Sequence, residues 1–110
     1  MNTITITGRI EGQPVRKETD KSVVTTIRLA SGRAKNRGGR LWIDVDTWGR
    51  LAGITNRAGR PGRSIVATGR LEHRTWAGVD GETGHRWYVV ATDIEFLDDL
   101  PSEPDSTTTS

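Results

Sequence analysis

Trp42 and Trp48 sit six residues apart in Leu41-Trp42-Ile43-Asp44-Val45-Asp46-Thr47-Trp48, and Trp76 closes the later run Gly69-Arg70-Leu71-Glu72-His73-Arg74-Thr75-Trp76. Side chains on a strand alternate between faces, so the even spacing puts Trp42 and Trp48 on one face and Leu41, Ile43 and Val45 on the other. One face builds a core and the other shows flat rings to solvent. At roughly 25 cal/mol per Å² of apolar area, burying an indole is worth several kcal/mol, so rings left outside a core imply a ligand or partner that covers them. Arginines share these strands: Arg28 faces outward on the preceding strand, and Arg70 and Arg74 share the parity of Trp76. The connection Ser31–Arg40 adds Arg33, Lys35, Arg37 and Arg40, with three glycines and no acid. Outward rings flanked by guanidinium groups suit a ligand made of flat bases and phosphates. Single-stranded nucleic acid is such a ligand: its unpaired bases stack on aromatic rings whatever their identity, at roughly 1–3 kcal/mol per base. No recognition helix or zinc-finger spacing is present to read a duplex groove.

The charge distribution agrees. All 16 Lys and Arg lie between Arg9 and Arg86, and only 8 carboxylates accompany them in residues 1–92. The other 6 carboxylates fall from Asp93 onward, where no basic residue occurs. A basic body with an acidic tail predicts a polyanionic ligand. With 110 residues and no cysteine, the chain is one domain without a disulfide scaffold, a thiolate metal site or a cysteine nucleophile. The N-terminus starts a strand pattern at once, so no secretory leader is expected, and nothing approaches the roughly 18 apolar residues of a membrane span. The expectation is a cytoplasmic protein. His73 and His85 are solitary, and neither a Gly-x-Ser-x-Gly elbow nor a phosphate-cradling Gly-x-x-x-x-Gly-Lys-Ser/Thr appears, so no enzyme is expected. Asp44-x-Asp46 alone supplies too few ligands for a metal site, and no cofactor is called for.

The elements that position these residues follow from periodicity. Thr3–Arg9 alternates, with Ile4 and Ile6 inward, and reads as a first strand; Gly12–Ser22, holding Pro14, reads as a polar connection. Val23–Ala30 is a second strand with Ile27 and Leu29 on the core face, and Leu41–Trp48 a third. Leu51 and Ile54 predict about two turns of helix between Arg50 and Arg57, ending near Gly59. Arg63–Trp76 is a fourth strand, with Ile65 and Ala67 inward and a bend at Gly69, and His85–Leu97 returns as the fifth after a glycine-rich hairpin. Trp87 and Tyr88 are adjacent and must point to opposite faces, with one expected in the core. Five strands and one short helix between the third and fourth predict an all-β, closed five-stranded barrel over residues 1–97. Residues 98–110, with little apolar content, read as a short acidic, disordered tail.

In this order and spacing the residues resemble the bacterial single-stranded DNA-binding (SSB) proteins over roughly residues 3–97. Gly8-Arg9-Ile10 followed by Pro14 and Arg16 is similar to the family's opening segment, and Val24–Ala30 to its second strand. Trp42 and Trp48 fall on the two aromatic positions of its third strand, and Gly69-Arg70-Leu71 through Arg74 and Trp76 matches its Gly-Arg-Leu-x-x-Arg-x-aromatic stretch. The resemblance implies an OB-fold (oligonucleotide-binding) barrel, a homotetramer, and the coating of single-stranded DNA in replication, recombination and repair, in the bacterial or phage-infected cell and associated with the nucleoid. Trp42, Trp48 and Trp76 then inherit the stacking role. The chain departs from the family at Asp44 and Asp46, acids on the tryptophan face where members more often carry neutral or basic side chains. It departs again at the tail, Thr-Thr-Thr-Ser in place of an acidic tip ending in Phe that docks replication proteins. The second departure keeps an alternative open, an accessory subunit of the primosomal replication-restart type that uses the aromatic face for protein partners.

Overall fold

Alternating aliphatic residues on five segments share one interior. The computed structural model describes residues 1–32 and 40–97, with β1 Ile4–Glu18, β2 Val23–Ser31, β3 Leu41–Trp48, α1 Gly49–Ala58, β4 Ser64–Ala77 and β5 Thr83–Phe96. The strands close into a barrel in the order β1-β2-β3-β5-β4, the OB-type architecture expected from the sequence. All pairings are antiparallel except β3 with β5, which run parallel over Asp44–Asp46 and Tyr88–Val90. The core is aliphatic: Ile6, Ile10, Ile27, Leu29, Ile43, Val45, Ile65, Ala67, Val89, Ala91 and Ile94 form one buried cluster. All four tryptophans are left outside it. None of the described helices is long and apolar enough to cross a membrane.

Two elements differ from the sequence reading. β1 runs on to Glu18 instead of ending at Arg9, because an irregularity between Glu11 and Val15 absorbs Gln13 and Pro14, where proline's missing N–H costs no ladder bond. The lengthened strand serves both flanks of the barrel, pairing with β4 through Ile4–Arg9 and with β2 through Arg9–Glu18. Leu41 has the parity of Ile43 and Val45 yet is exposed, because it lies at the open end of β3. The bend at Gly69 is present as a bulge. Thr68 pairs with Asp93 and Gly69 with Ala91, so Thr92 is skipped and both Ala91 and Ile94 turn inward. A Cβ at Gly69 would overlap the Val90 carbonyl oxygen and come within 2.8 Å of Ala91 Cα. Only glycine permits that approach.

α1 follows β3 without a loop. Trp48 is extended at φ −116° and caps the helix with no side-chain bond, and Gly49 takes φ 61° to make the turn. The helix buries Ala52 and Thr55 and packs Leu51 on the core, while Ile54 stays on the solvent side. It ends where Gly59 N–H donates to Thr55 O (2.8 Å). The turn therefore ties the last residue of β3, Trp48, to a rigid element.

Candidate nucleic-acid interface

Register across β2, β3, β5 and β4 dictates which outward side chains meet. Arg28 lies opposite Asp44, Asp44 beside Tyr88, and Tyr88 opposite Glu72, which makes one row across four strands. The next row runs Thr26, Asp46, Val90, Arg70. Arg74 and Arg86 face each other beyond these rows, and Trp76 faces Gly84. The glycine is what lets that indole lie down on the sheet, since a Cβ at residue 84 would come within 2.5 Å of the Trp76 ring. Trp48 ends β3 on the same face, opposite Val24.

The middle of this face is a network of charges. Asp44 and Asp46 are two like charges on one strand face, and Arg86 bridges them. Its Nε donates to Asp44 Oδ2 and its Nη2 to Asp46 Oδ1, both at 3.3 Å. Arg28 Nε donates to Asp44 Oδ1 at 3.4 Å, and the Thr26 hydroxyl donates to Asp46 Oδ1 at 2.8 Å. The Arg86 guanidinium also lies over the Tyr88 ring, 4.4 Å from its centroid, which fixes both side chains further. Arg70 is held by Glu72 at 2.6 Å. Arg74 has no ion pair or hydrogen-bond partner among the described residues. Around this network opens a cavity of about 510 Å³, walled by Trp48 and Tyr88 and edged by Arg70, Arg74 and Arg86, with Asp46 and Glu72 on its lining. A second, of about 310 Å³, shares Trp48, Arg74, Arg86 and Asp46 and adds Lys17 from the extension of β1. Two rings, several cations and a volume of nucleotide size converge there.

Of the residues singled out from the sequence, Trp48, Arg70 and Arg74 meet at the larger cavity, and Arg28 stands one strand away. Trp42 and Trp76 lie toward the far end of β3 and the tip of the β4–β5 hairpin, both about half exposed. Arg40 pairs with Glu11 of β1 at 3.8 Å. Arg33, Lys35 and Arg37 lie outside the described residues, as does the tail.

Arg86, Tyr88, Glu72 and Lys17 were not singled out. The hairpin carries a usable signal for the first three: residues equidistant from Asp80 pair, so Arg74 meets Arg86, and Tyr88 follows on the same face opposite Glu72. Neither Trp87 nor Tyr88 enters the core. The hairpin arm projects past the barrel and both its sides meet solvent, so Trp87 is 56% exposed on the reverse side. There it stacks on His73 with centroids 4.1 Å apart, and His73 lies next to His85. Among the described residues no three His, Cys, Asp or Glu gather as a metal site requires.

Comparison with known proteins gives a consistent outcome. The family described as "Single-strand binding protein family" matches residues 1–97. A protein described as single-stranded DNA-binding protein 1 from Chlorobaculum tepidum is 32% identical over 107 residues, covering 88% of this chain and 65% of its own length. One described as single-stranded DNA-binding protein from Caldanaerobacter subterraneus is 35% identical over 106 residues, covering 89% of this chain and 69% of its own. This chain thus spans about two thirds of those relatives. Among solved structures, a Plasmodium falciparum SSB in complex with ssDNA superposes with a TM-score of 0.78 at 21% identity, over 89% of this chain and 96% of that one. At that identity the likeness is one of fold.

Proposed function

The chain belongs to the single-strand binding protein family, and from that premise we propose that it binds single-stranded DNA, with little dependence on sequence, across the outward face of β2, β3, β5 and β4. The observation that carries this reading is the convergence of Trp48, Tyr88, Arg70, Arg74 and Arg86 on one cavity, with Trp42 and Trp76 exposed to either side. Bases stack on the indoles and on Tyr88, and phosphates meet the guanidinium groups along the path. A duplex offers neither accessible base faces nor the flexibility to splay over a convex sheet. Arg28 and Arg40 extend the cationic track across β2 and β3, and Arg33, Lys35 and Arg37 of the connecting segment add to the basic charge of the sequence between those strands. The role is that of a coating protein in replication, recombination and repair, acting in the cytoplasm at the nucleoid, with no catalytic step.

Titration with poly-dT at low salt, followed by tryptophan emission, tests this. Strong quenching that salt reverses is expected, with log K falling by roughly 0.7 per neutralised phosphate for each unit of log salt. Unchanged emission at saturation would refute the reading. Among the cavity's arginines Arg74 has no competing carboxylate, so Arg74→Ala is expected to lower the salt slope by about one phosphate's worth and to weaken binding uniformly across sequences.

A homotetramer is part of the proposal. The Ile4–Gly8 half of β1 pairs with β4 on one side, and its other edge, where the Ser31 hydroxyl donates to Thr7 O at 2.6 Å, is the one proposed to meet a second copy. Four linked barrels would gain affinity through effective concentration. Light scattering at micromolar concentration is expected to return four times the chain mass; a monomer would remove this part.

A further inference from the structure

Asp46 is an unusual wall for a polyanion's cavity. It is 8% exposed, and both its hydrogen bonds, from Thr26 and Arg86, fall on Oδ1. Oδ2 has no hydrogen-bond partner among the described residues, although the residue lines both cavities. Asp44 differs, since Arg28 occupies its Oδ1 and Arg86 its Oδ2. One charged acceptor is thus held at the cavity that Trp48 walls and left for water or a ligand to bond. A carboxylate oxygen so placed accepts from an N–H and repels a carbonyl oxygen.

We infer that Asp46 is a base-discriminating residue, favouring a base with an exocyclic amino group, cytosine above all, over thymine or uracil at the Trp48–Tyr88 cavity. The inference rests on the single-strand binding proposed above and adds a preference to it. A pyrimidine fits the chemistry best: cytosine and uracil stack alike on the rings, and they differ at position 4, an amino donor against a carbonyl acceptor, and at N3, an acceptor in cytosine and in uracil an N–H set between two carbonyls. The stacking energy is nearly common to both and largely cancels in the comparison; at Oδ2 cytosine offers its amino group at the outer end of its edge, whereas uracil's one donor, N3–H, brings a carbonyl oxygen on either side toward the carboxylate. Phosphate binding is unaffected by the exchange. A site that holds an unpaired acceptor discriminates against a ligand that cannot satisfy it, because the acceptor loses water and gains nothing. Arg86 and Thr26 act through Asp46 by fixing its carboxylate plane.

The test compares homopolymers of roughly 12 nucleotides, oligo-dC and oligo-dU, at slightly alkaline pH, by tryptophan quenching on the full chain. Wild type is expected to bind oligo-dC about tenfold more tightly than oligo-dU. In Asp46→Asn the ratio falls to about one, because a carboxamide both donates and accepts. In Asp44→Asn the ratio persists, since both Asp44 oxygens are already engaged. If Asp46→Asn does not fold, a homopolymer of 2-pyrimidinone deoxyriboside, with hydrogen in place of the amino group, decides the matter on wild-type protein and is expected to bind about as weakly as oligo-dU. Equal binding of oligo-dC and oligo-dU, a preference for oligo-dU, a ratio unchanged in folded Asp46→Asn, or pyrimidinone binding as tight as oligo-dC each overturns the inference and leaves single-strand binding standing. Failure of both polymers to bind at low salt refutes the underlying reading with it.

Discussion

Trp48→Ala is expected to weaken binding of oligo-dT by about 5- to 150-fold while the barrel stays folded, the range corresponding to the loss of one stacked base. Trp48 is the indole that walls both cavities, and it lies beside the network that holds Arg86 and Tyr88 in place. At 43% exposure it contributes little to the core, and as helix cap it makes no side-chain bond, so truncation removes a ligand contact more than a structural one. Trp42 and Trp76 line neither cavity, and their truncation is expected to cost less individually. Trp87 supplies the control. It sits on the reverse side of the hairpin against His73, so Trp87→Ala is expected to lower total emission and leave affinity unchanged. Equilibrium binding by fluorescence polarisation of a labelled oligonucleotide, which does not depend on the remaining tryptophans, reads all four variants. Wild-type affinity in folded Trp48→Ala would sink the stacking mechanism at this cavity.

Gly69→Ala is expected to destabilise the protein by about 3 kcal/mol or more, lowering the thermal midpoint by over about 10 °C. The added Cβ runs into the Val90 carbonyl and the Ala91 backbone, and these are ladder atoms of β5 that cannot retreat without opening the bulge. Ala91 and Ile94 depend on that bulge for their inward orientation. Gly53→Ala in α1 makes the opposite case. Its Cβ would meet only the end of the Arg57 side chain at 3.5 Å, and alanine gains about 0.5–1 kcal/mol over glycine inside a helix. A midpoint that falls for residue 69 and rises for residue 53, measured by circular dichroism, separates steric necessity from mere composition. Equal midpoints for Gly69→Ala and wild type would contradict the described bulge.

Strand parity was legible in the sequence wherever one face is apolar. Ile27, Leu29, Ile43, Val45, Ile65 and Ala67 are all buried as their alternation requires, and Trp42, Trp48 and Trp76 are all outside the core. The short helix and the bend at Gly69 were also readable, from spacing and from a glycine inside a strand. Parity carries no information about where a strand stops being covered. Leu41 keeps the correct parity and still meets solvent, and Trp87 does the same on the projecting hairpin. The run of β1 through Pro14 was not legible, because the irregularity that tolerates proline depends on the pairing with β2.

The site was half legible for a related reason. Trp48, Arg70 and Arg74 carry their own residue-type signals. Arg86 and Tyr88 matter because β5 lies beside β3, and that parallel neighbour is set by barrel closure and by no local pattern. The same crossing brings Arg86 onto Asp44 and Asp46, and only the three-dimensional arrangement shows which arginine they hold and that both bonds to Asp46 fall on Oδ1.

The parallel seam between β3 and β5 also makes function a matter of timing. Trp48 leaves the ribosome about 40 residues ahead of Tyr88, an interval of roughly 2–8 s at ordinary rates of translation. Until then β3 lacks its parallel neighbour, the core lacks Val89, Ala91 and Ile94, and Trp48 has no Arg86 across the cavity. A message cut short before codon 83 therefore yields a product that is not a weaker protein but one with neither a sealed wall nor a finished docking groove.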